Sequence, residues 1–416
     1  MIIIYFAISF TVDNDPNKLS KTADVFLSKT KPLQKINQEF LDKPVEDNKQ
    51  RKRDIVLNLR DNFSIIDNKE AHENEQRIET KTKGPEVTHV AFLKVHKTAS
   101  STAQNVFLRF GDERNLSFIL AHTKGESGWL NVISYNNTIT PKNIVSPPKG
   151  GHFDLLCNHV IYNRQSFERV LPKDTEYVGI VREPISRFQS AIKYFCPGFI
   201  LKILGDTPLL TYSKDPLKYE PNDPRKSQTN NRMAVEFGFP EKLFPGQSQS
   251  ESKSEINKYL QKIDAEFKFI IISERFAESM VLMKRLLNWS AKDVLYLDQN
   301  VAKSATNPRK VVPEEAKSAL RNFLNLDIAL YKFAIDRFNK QVKAGGDDFQ
   351  AEVAAFKVVR HDVKDFCSSN RFTMTVKANK WDEGFEITKK DCALYHKHEK
   401  DLIQKQRMRM YGTYNN

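Results

Sequence analysis

The residues best equipped for chemistry lie in one short run, His96-Lys97-Thr98-Ala99-Ser100-Ser101-Thr102. It combines an imidazole that can take a proton near neutral pH, an ammonium and a crowd of hydroxyls. An apolar stretch, Val87-Thr-His-Val-Ala-Phe-Leu-Lys-Val95, precedes it. Ala103-Gln-Asn-Val-Phe-Leu-Arg-Phe110 follows, with its apolar residues at helical spacing. The order reads strand, basic loop, helix. A helix N-terminus presents unsatisfied N–H groups and the positive end of a dipole, so this layout suits a phosphate or sulfate. Lys97 adds a point charge, and Lys94 at the strand end either assists or flanks. Helix capping alone would need one hydroxyl rather than four. The loop has no glycine, so it is not the G-x-x-x-x-G-K-[ST] loop of nucleoside triphosphatases, although Lys97-Thr98 matches the end of that motif. No acidic residue for a magnesium ion is evident, and the anion is expected to be held without a metal.

A second group sits at Arg182 and Ser190. Tyr177-Val-Gly-Ile-Val181 reads as a buried strand, and Pro184 opens a helix carrying Ser190. Arg182 therefore stands at the C-terminal end of a strand, where open α/β sheets bind ligands. From there its guanidinium can meet a phosphate together with a hydroxyl from the next helix. A surface Arg and an unrelated helix Ser are the plainer alternative. For a general base, His96 is the first candidate, being next to Lys97. His159, after Leu155-Leu-Cys-Asn158, is the second. His159 and Asn158 are assigned to acceptor binding, with His159 as the base if His96 fails. His152 has a weaker case, and Glu183 is given no catalytic role.

The elements that must position these groups alternate. Strands are expected near 88–95, 117–121, 153–157, 177–181 and 268–272. Helices are expected near 100–111, 184–196, 254–266, 274–288 and 313–343. That pattern predicts a three-layer α/β fold around a mainly parallel sheet. The Pro- and Lys-containing stretch 205–250 reads as a long loop region shaping the acceptor groove.

Composition narrows the class. The 416 residues carry 65 Lys and Arg against 52 Asp and Glu, a net charge of +13, with 40% hydrophobic residues. This excludes a collagenous, a polytopic membrane and a wholly disordered chain. The charge points to an anionic partner. No RNA-binding signature or zinc-finger spacing supports nucleic acid, and the four cysteines, Cys157, Cys196, Cys367 and Cys392, lack zinc-site spacing.

Together the loop and the Arg182…Ser190 pair resemble the binding signature of sulfotransferases that use 3′-phosphoadenylyl sulfate. The resemblance assigns Lys94, Lys97, Thr98, Ala99, Ser100, Ser101 and Thr102 to the 5′-phosphosulfate, and Arg182 and Ser190 to the 3′-phosphate. The chain resembles the galactose-3-O-sulfotransferase family over about 87–340. The matching stretches are Phe92-Leu-Lys-Val-His-Lys-Thr-Ala-Ser-Ser-Thr102 with Asn105 to Gly111 following, Cys157-Asn-His159, Val181-Arg-Glu-Pro-Ile-Ser-Arg-Phe188, Ile272-Ser-Glu-Arg-Phe-Ala-Glu-Ser-Met-Val-Leu-Met283, Leu287-Asn-Trp289, Asp293-Val-Leu-Tyr296 and Leu326-Asp-Ile-Ala-Leu-Tyr331. It departs at Val95, where the family usually has Thr. The resemblance implies a P-loop-like sulfotransferase fold. It also implies a single-pass type II enzyme of the Golgi membrane with a lumenal catalytic domain. Such an enzyme moves a sulfuryl group from 3′-phosphoadenylyl sulfate to the 3-hydroxyl of a β-galactose on a glycolipid or glycoprotein glycan. His96 and Lys97 would be its catalytic pair. Two rivals stay open: a sulfotransferase of another glycan, such as a glycosaminoglycan, and a non-catalytic glycan-binding protein.

The ends complete the organisation. Residues 1–12 are an apolar run shorter than the ~20 residues a membrane span needs, so they read as a truncated anchor or as a buried strand. Residues 13–86 are polar, charged and poor in aromatics, the composition of a disordered stem. Residues 87–345 are read as the sulfotransferase domain and 346–416 as a C-terminal extension of unknown role. Sequons at Asn62, Asn115, Asn136 and Asn288 permit a lumenal location without proving it. In that compartment a disulfide is open to the chain, Cys367 with Cys392 being the first pair to consider, although connectivity does not follow from sequence.

Overall fold

The computed structural model describes residues 84–122, 129–148, 151–195, 197–247, 252–297 and 311–413. The apolar run at 1–12, nearly all of the expected stem, Asn62 and Cys196 lie outside these. Strands β1 (Val90–Phe92), β2 (Leu155–Leu156), β3 (Glu176–Val181) and β4 (Phe269–Ile272) form one sheet in the order β2-β1-β3-β4. Every pairing in it is parallel. Nearly every strand residue is buried, so both faces of the sheet are covered, as a parallel sheet requires. The sheet is the parallel α/β core that the alternation of elements predicts.

The helices that frame it are α1 (Ser100–Glu113), α2 (Pro184–Phe195), α3 (Arg232–Glu236), α4 (Lys253–Glu266), α5 (Phe276–Leu287), α6 (Glu314–Phe323) and α7 (Asn325–Ser368). A hairpin of β5 (Thr373–Val376) and β6 (Phe385–Thr388) leads to α8 (Lys389–His396) and α9 (Glu399–Tyr411). Helix α1 lies close against the sheet: a Cβ at Gly111 would meet Leu155 Cδ1 at 2.4 Å and a Phe118 ring carbon at 2.5 Å.

Four departures from the sequence reading have physical causes. The segment 117–121 makes only isolated bridges, Phe118 to Leu155 and Ala121 to Ile144, because the two-residue strand β2 offers it no ladder. The helix expected at 313–343 is broken at Leu324, where the Asn231 side chain takes the orphan groups of both ends. Its Nδ2 donates to Phe323 O, and its Oδ1 accepts from the amides of Leu326 and Asp327. A further helical stretch then runs on past 343 to Ser368, the two meeting at Gly346, whose φ of 58° is non-helical, so the boundary expected at 345 falls at the junction between them. Finally, the stretch 205–250 is not one long loop: among its described residues it carries the helices Pro208–Lys214 and Arg232–Glu236. Ser227, Thr229, Asn230, Asn231, Arg232 and Glu236 are all buried.

Residues Thr82–Asn416 form one unit, and its C-terminal segment is built into it. Helix α9 packs on α1: Lys405 Nζ and Gln406 Nε2 donate to Asp112, and Arg407 to the Ala121 carbonyl. Cys367 and Cys392 are disulfide-bonded, tying the end of α7 to α8. Among the described residues no helix is long and apolar enough to cross a membrane.

Candidate active site

The chain leaves the sheet after β1, where the Leu93 amide still donates to Val178 O, and turns sharply before α1. Lys97 and Ala99 take left-handed backbone conformations, φ 65° and 63°, which residues bearing a Cβ seldom adopt. Two side chains hold the turn: the hydroxyls of Thr98 and Ser100 both donate to the Val95 carbonyl, at 2.9 and 2.6 Å. Ser273, at the end of β4, donates to Thr98 O at 2.8 Å. The Thr98 and Ser100 protons are thus engaged in shaping the loop. What the loop presents outward is its backbone. Among the described residues the amides of Lys97, Thr98, Ala99, Ser100 and Ser101 meet no protein acceptor. Successive N–H groups around left-handed residues at the start of a helix make an anion-binding concavity.

Two cations border this concavity. Lys97 Nζ sits 3.7 Å from the centroid of the Tyr194 ring, and Arg182 Nη1 donates to the Lys97 carbonyl at 3.3 Å. Neither is ion-paired with a carboxylate among the described residues. Burial, with the neighbouring Arg182 charge, lowers the Lys97 ammonium to about 8. Ser190 is half-buried on α2, one turn before Tyr194 and so on the same helix face, with no side-chain bond among the described residues.

Beside the loop stands a buried cluster. His96 donates its backbone N–H to Glu236 Oε2 at 2.8 Å, and its Nδ1 faces Glu236 Oε1. His159 stacks on His96, ring centroids 3.6 Å apart, and bonds Nδ1 to the Lys94 carbonyl at 2.8 Å. Arg232, one helical turn before Glu236, places Nη2 3.3 Å from the same oxygen and 2.6 Å from Tyr135 O. Burial would raise the Glu236 carboxyl, but His96 and Arg232 hold it well below the carboxylate range. Burial lowers His96 despite Glu236. Burial, with His96 and Lys94 nearby, brings His159 down to about 3. The cluster is therefore a neutral imidazole held by an ionised carboxylate, with Nδ1 occupied and Nε2 left to act.

Helix α3, which carries Glu236, is fixed from below. The Asp327 carboxylate accepts the Ala234 amide at 2.8 Å and lies 3.7 Å from the buried Arg187 guanidinium. Burial, opposed by Arg187, raises Asp327 to about 6.

Of the residues singled out from sequence, His96, Lys97, Arg182 and His159 come together. Others turn elsewhere. Lys94 is fully buried with Nζ 2.6 Å from Glu399 Oε2, in the first turn of α9. Burial would raise Glu399, but Lys94 brings it down to about 2. Asn158 accepts from Gln104 at 2.9 Å and donates to Ile119 O, so both ends of its amide serve packing. Ser101 and Thr102 lie in the first turn of α1, half-buried and buried. Sequence reasoning missed Glu236, Arg232 and Glu399. The spacing of Arg232 and Glu236, four residues apart, was the available signal for the first two.

A family model described as galactose-3-O-sulfotransferase matches residues 60–386, most of the chain. This chain belongs to the galactose-3-O-sulfotransferase family. It is 32% identical over 254 residues to galactose-3-O-sulfotransferase 3 of Mus musculus, covering 60% of this chain and 55% of that protein. It is 27% identical over 284 residues to galactosylceramide sulfotransferase of Homo sapiens, covering 67% and 64%. With human galactose-3-O-sulfotransferase 2 it shares 29% over 295 residues, covering 68% and 69%. The chain thus spans a little over half to about two thirds of these relatives. The family match includes the loop, Arg182, the His96–Glu236 pair and His159, and stops before Glu399.

Proposed function

We propose that this chain transfers a sulfuryl group from 3′-phosphoadenylyl sulfate to the 3-hydroxyl of a terminal β-galactose, with His96 as general base. One observation carries the reading: an anion-binding turn and an imidazole–carboxylate pair are consecutive in the chain, sharing the Val95–Lys97 backbone. The donor supplies an activated sulfuryl group on a phosphate leaving group. The residues present suit it, since free amides, Lys97 and Arg182 border one concavity and, among the described residues, neither cation is ion-paired with a carboxylate.

In this reading Lys97 and the loop amides neutralise charge that grows on the departing phosphate oxygen. Glu236 accepts Nδ1–H of His96, fixes the tautomer and stabilises the imidazolium formed when Nε2 takes the hydroxyl proton. His159, nearly incapable of protonation and bonded through Nδ1, offers Nε2 as an acceptor to orient a sugar hydroxyl. The rings of Tyr135 and Phe195, with centroids 5.4 and 5.9 Å from that of His96, give an apolar face against which a pyranose can lie. The transfer needs no metal, because Lys97 and Arg182 provide the charge. The Cys367–Cys392 bond and the exposed sequon residues Asn115 and Asn136 support a lumenal, Golgi setting.

The test is an acceptor screen with labelled donor against galactosyl lipids, galactose-terminated glycans and glycosaminoglycans. Label on the galactosides is expected. Label on glycosaminoglycans alone, or on none with a competent donor, overturns the proposal.

A further inference from the structure

We infer that the opposite end of the sheet holds a site for a borderline divalent cation, Zn²⁺ first. His89 immediately precedes β1, His152 and Asp154 precede β2, and Asp174 precedes β3. Because β2, β1 and β3 are parallel neighbours, these residues gather at the N-terminal edge of the sheet, away from the loop after β1. Nothing in the sulfuryl-transfer reading uses them.

Three donor atoms converge. Asp154 Oδ1 lies 3.4 Å from His89 Nε2 and 2.9 Å from His152 Nε2. All three lie within 4.8 Å of one another. Tetrahedral zinc with bonds of about 2.0–2.2 Å separates its ligand atoms by about 3.3–3.5 Å, so the His89–Asp154 edge already fits. The His152 edge must open by a few tenths of an ångström. That side chain is 62% exposed and free to move.

The supports of the ligands are also in place. His89 bonds its other nitrogen, Nδ1, to Asp174 Oδ1 at 2.8 Å, the carboxylate–histidine arrangement that fixes the ring of a metal-binding histidine. The second oxygen of Asp154 accepts both the amide and the hydroxyl of Ser117, at 2.6 and 2.7 Å, which leaves Oδ1 directed at the two imidazoles. Two imidazoles and one carboxylate, with a fourth position toward solvent, select Zn²⁺, Cu²⁺ or Ni²⁺ over Mg²⁺ or Ca²⁺. A bound ion would staple the segment entering β2 to the strand entrances of β1 and β3.

The experiment is calorimetric titration of the chelator-treated, dialysed full chain with Zn²⁺ alone, and with Co²⁺ followed by its visible absorption. One equivalent should bind with micromolar or tighter affinity and raise the Tm. His152→Ala, at an exposed position, should keep the circular dichroism spectrum and lose that equivalent. Asp174→Asn should keep the stoichiometry and weaken binding about 10- to 100-fold. His159→Ala, in the other His/Glu cluster, should leave the titration unchanged. Absence of zinc binding, binding undiminished in His152→Ala, or binding lost in His159→Ala instead, overturns the inference.

Discussion

Replacing Glu236 by Gln isolates the contribution of the carboxylate to His96. The carboxylate meets only donors: the His96 amide on one oxygen, and His96 Nδ1 and Arg232 Nη2 on the other. A carboxamide has one acceptor oxygen, so one donor must face its NH₂ group. If the NH₂ turns to the ring, Nδ1 becomes the acceptor and the proton moves to Nε2, the atom that should take the hydroxyl proton. If it turns to the amide, the tautomer survives but the charge that stabilises the imidazolium is lost. Either way general-base catalysis falls, and its usual contribution sets the size: kcat should drop about 10²- to 10⁴-fold. The product nucleotide, 3′-phosphoadenosine 5′-phosphate, should still bind, because Lys97, Arg182 and the loop amides are untouched. Arg232 keeps its carbonyl partners but loses its buried counter-charge, so the variant should also be less stable, by up to about 3–5 kcal/mol. The assay is labelled-donor turnover at saturating substrates below the variant's Tm, with nucleotide binding by calorimetry as the folding control. A variant that binds nucleotide and keeps kcat within threefold would refute the orienting role of Glu236.

Other predictions follow from the same geometry. Lys97→Ala should lower kcat/KM about 10²- to 10³-fold, by analogy with deleting one charge-stabilising donor, and turnover measured with labelled donor checks it. Lys97 titrates near 8 in the free protein and binds an anion in its protonated form. Nucleotide Kd should therefore be flat below that pH and rise toward about tenfold per unit above it in wild type, but not in Lys97→Met. Glu399→Ala leaves the Lys94 ammonium buried without its partner and should cost about 3–5 kcal/mol in urea melts. Because the folded Glu399 carboxyl lies at about 2 against an ordinary 4.5, its stabilisation is complete above 4.5 and fades as pH falls toward 2. An acid profile identical in wild type and variant would contradict that pairing. Cys392→Ser opens a disulfide spanning 25 residues and should cost about 3 kcal/mol, read as a lowered Tm.

The loop was legible because its parts are contiguous. Strand β1, the turn and α1 occupy 90–113, and apolar runs flank a polar island there. The same holds for β3, Arg182 and α2. What sequence could not show is what comes from far along the chain. Glu236 reaches His96 across 140 residues, and Glu399 reaches Lys94 across 305. Neither lies in a pattern with a period, since buried ion pairs are set by tertiary placement. Lys94 illustrates the consequence: beside Lys97 in sequence it looks like a second anion ligand, yet its buried ammonium is taken by the Glu399 carboxylate of α9. By residue type Thr98 and Ser100 look like donors to the anion, since type alone does not reveal that a turn this sharp is held by its own hydroxyls. The break at Leu324 was hidden for a similar reason, since Asn231, which satisfies both helix ends, lies more than ninety residues earlier.

The central claim is that His96 takes the proton of a galactose 3-hydroxyl. The most direct measurement is transfer of labelled sulfate to a β-galactoside and to its 3-deoxy counterpart, by wild type and by His96→Ala with nucleotide binding verified. The account predicts label at the 3-position of the galactoside, none on the 3-deoxy sugar, and turnover at least about 10²-fold lower in the variant. Equal labelling of the two sugars, or undiminished turnover in His96→Ala, would contradict it.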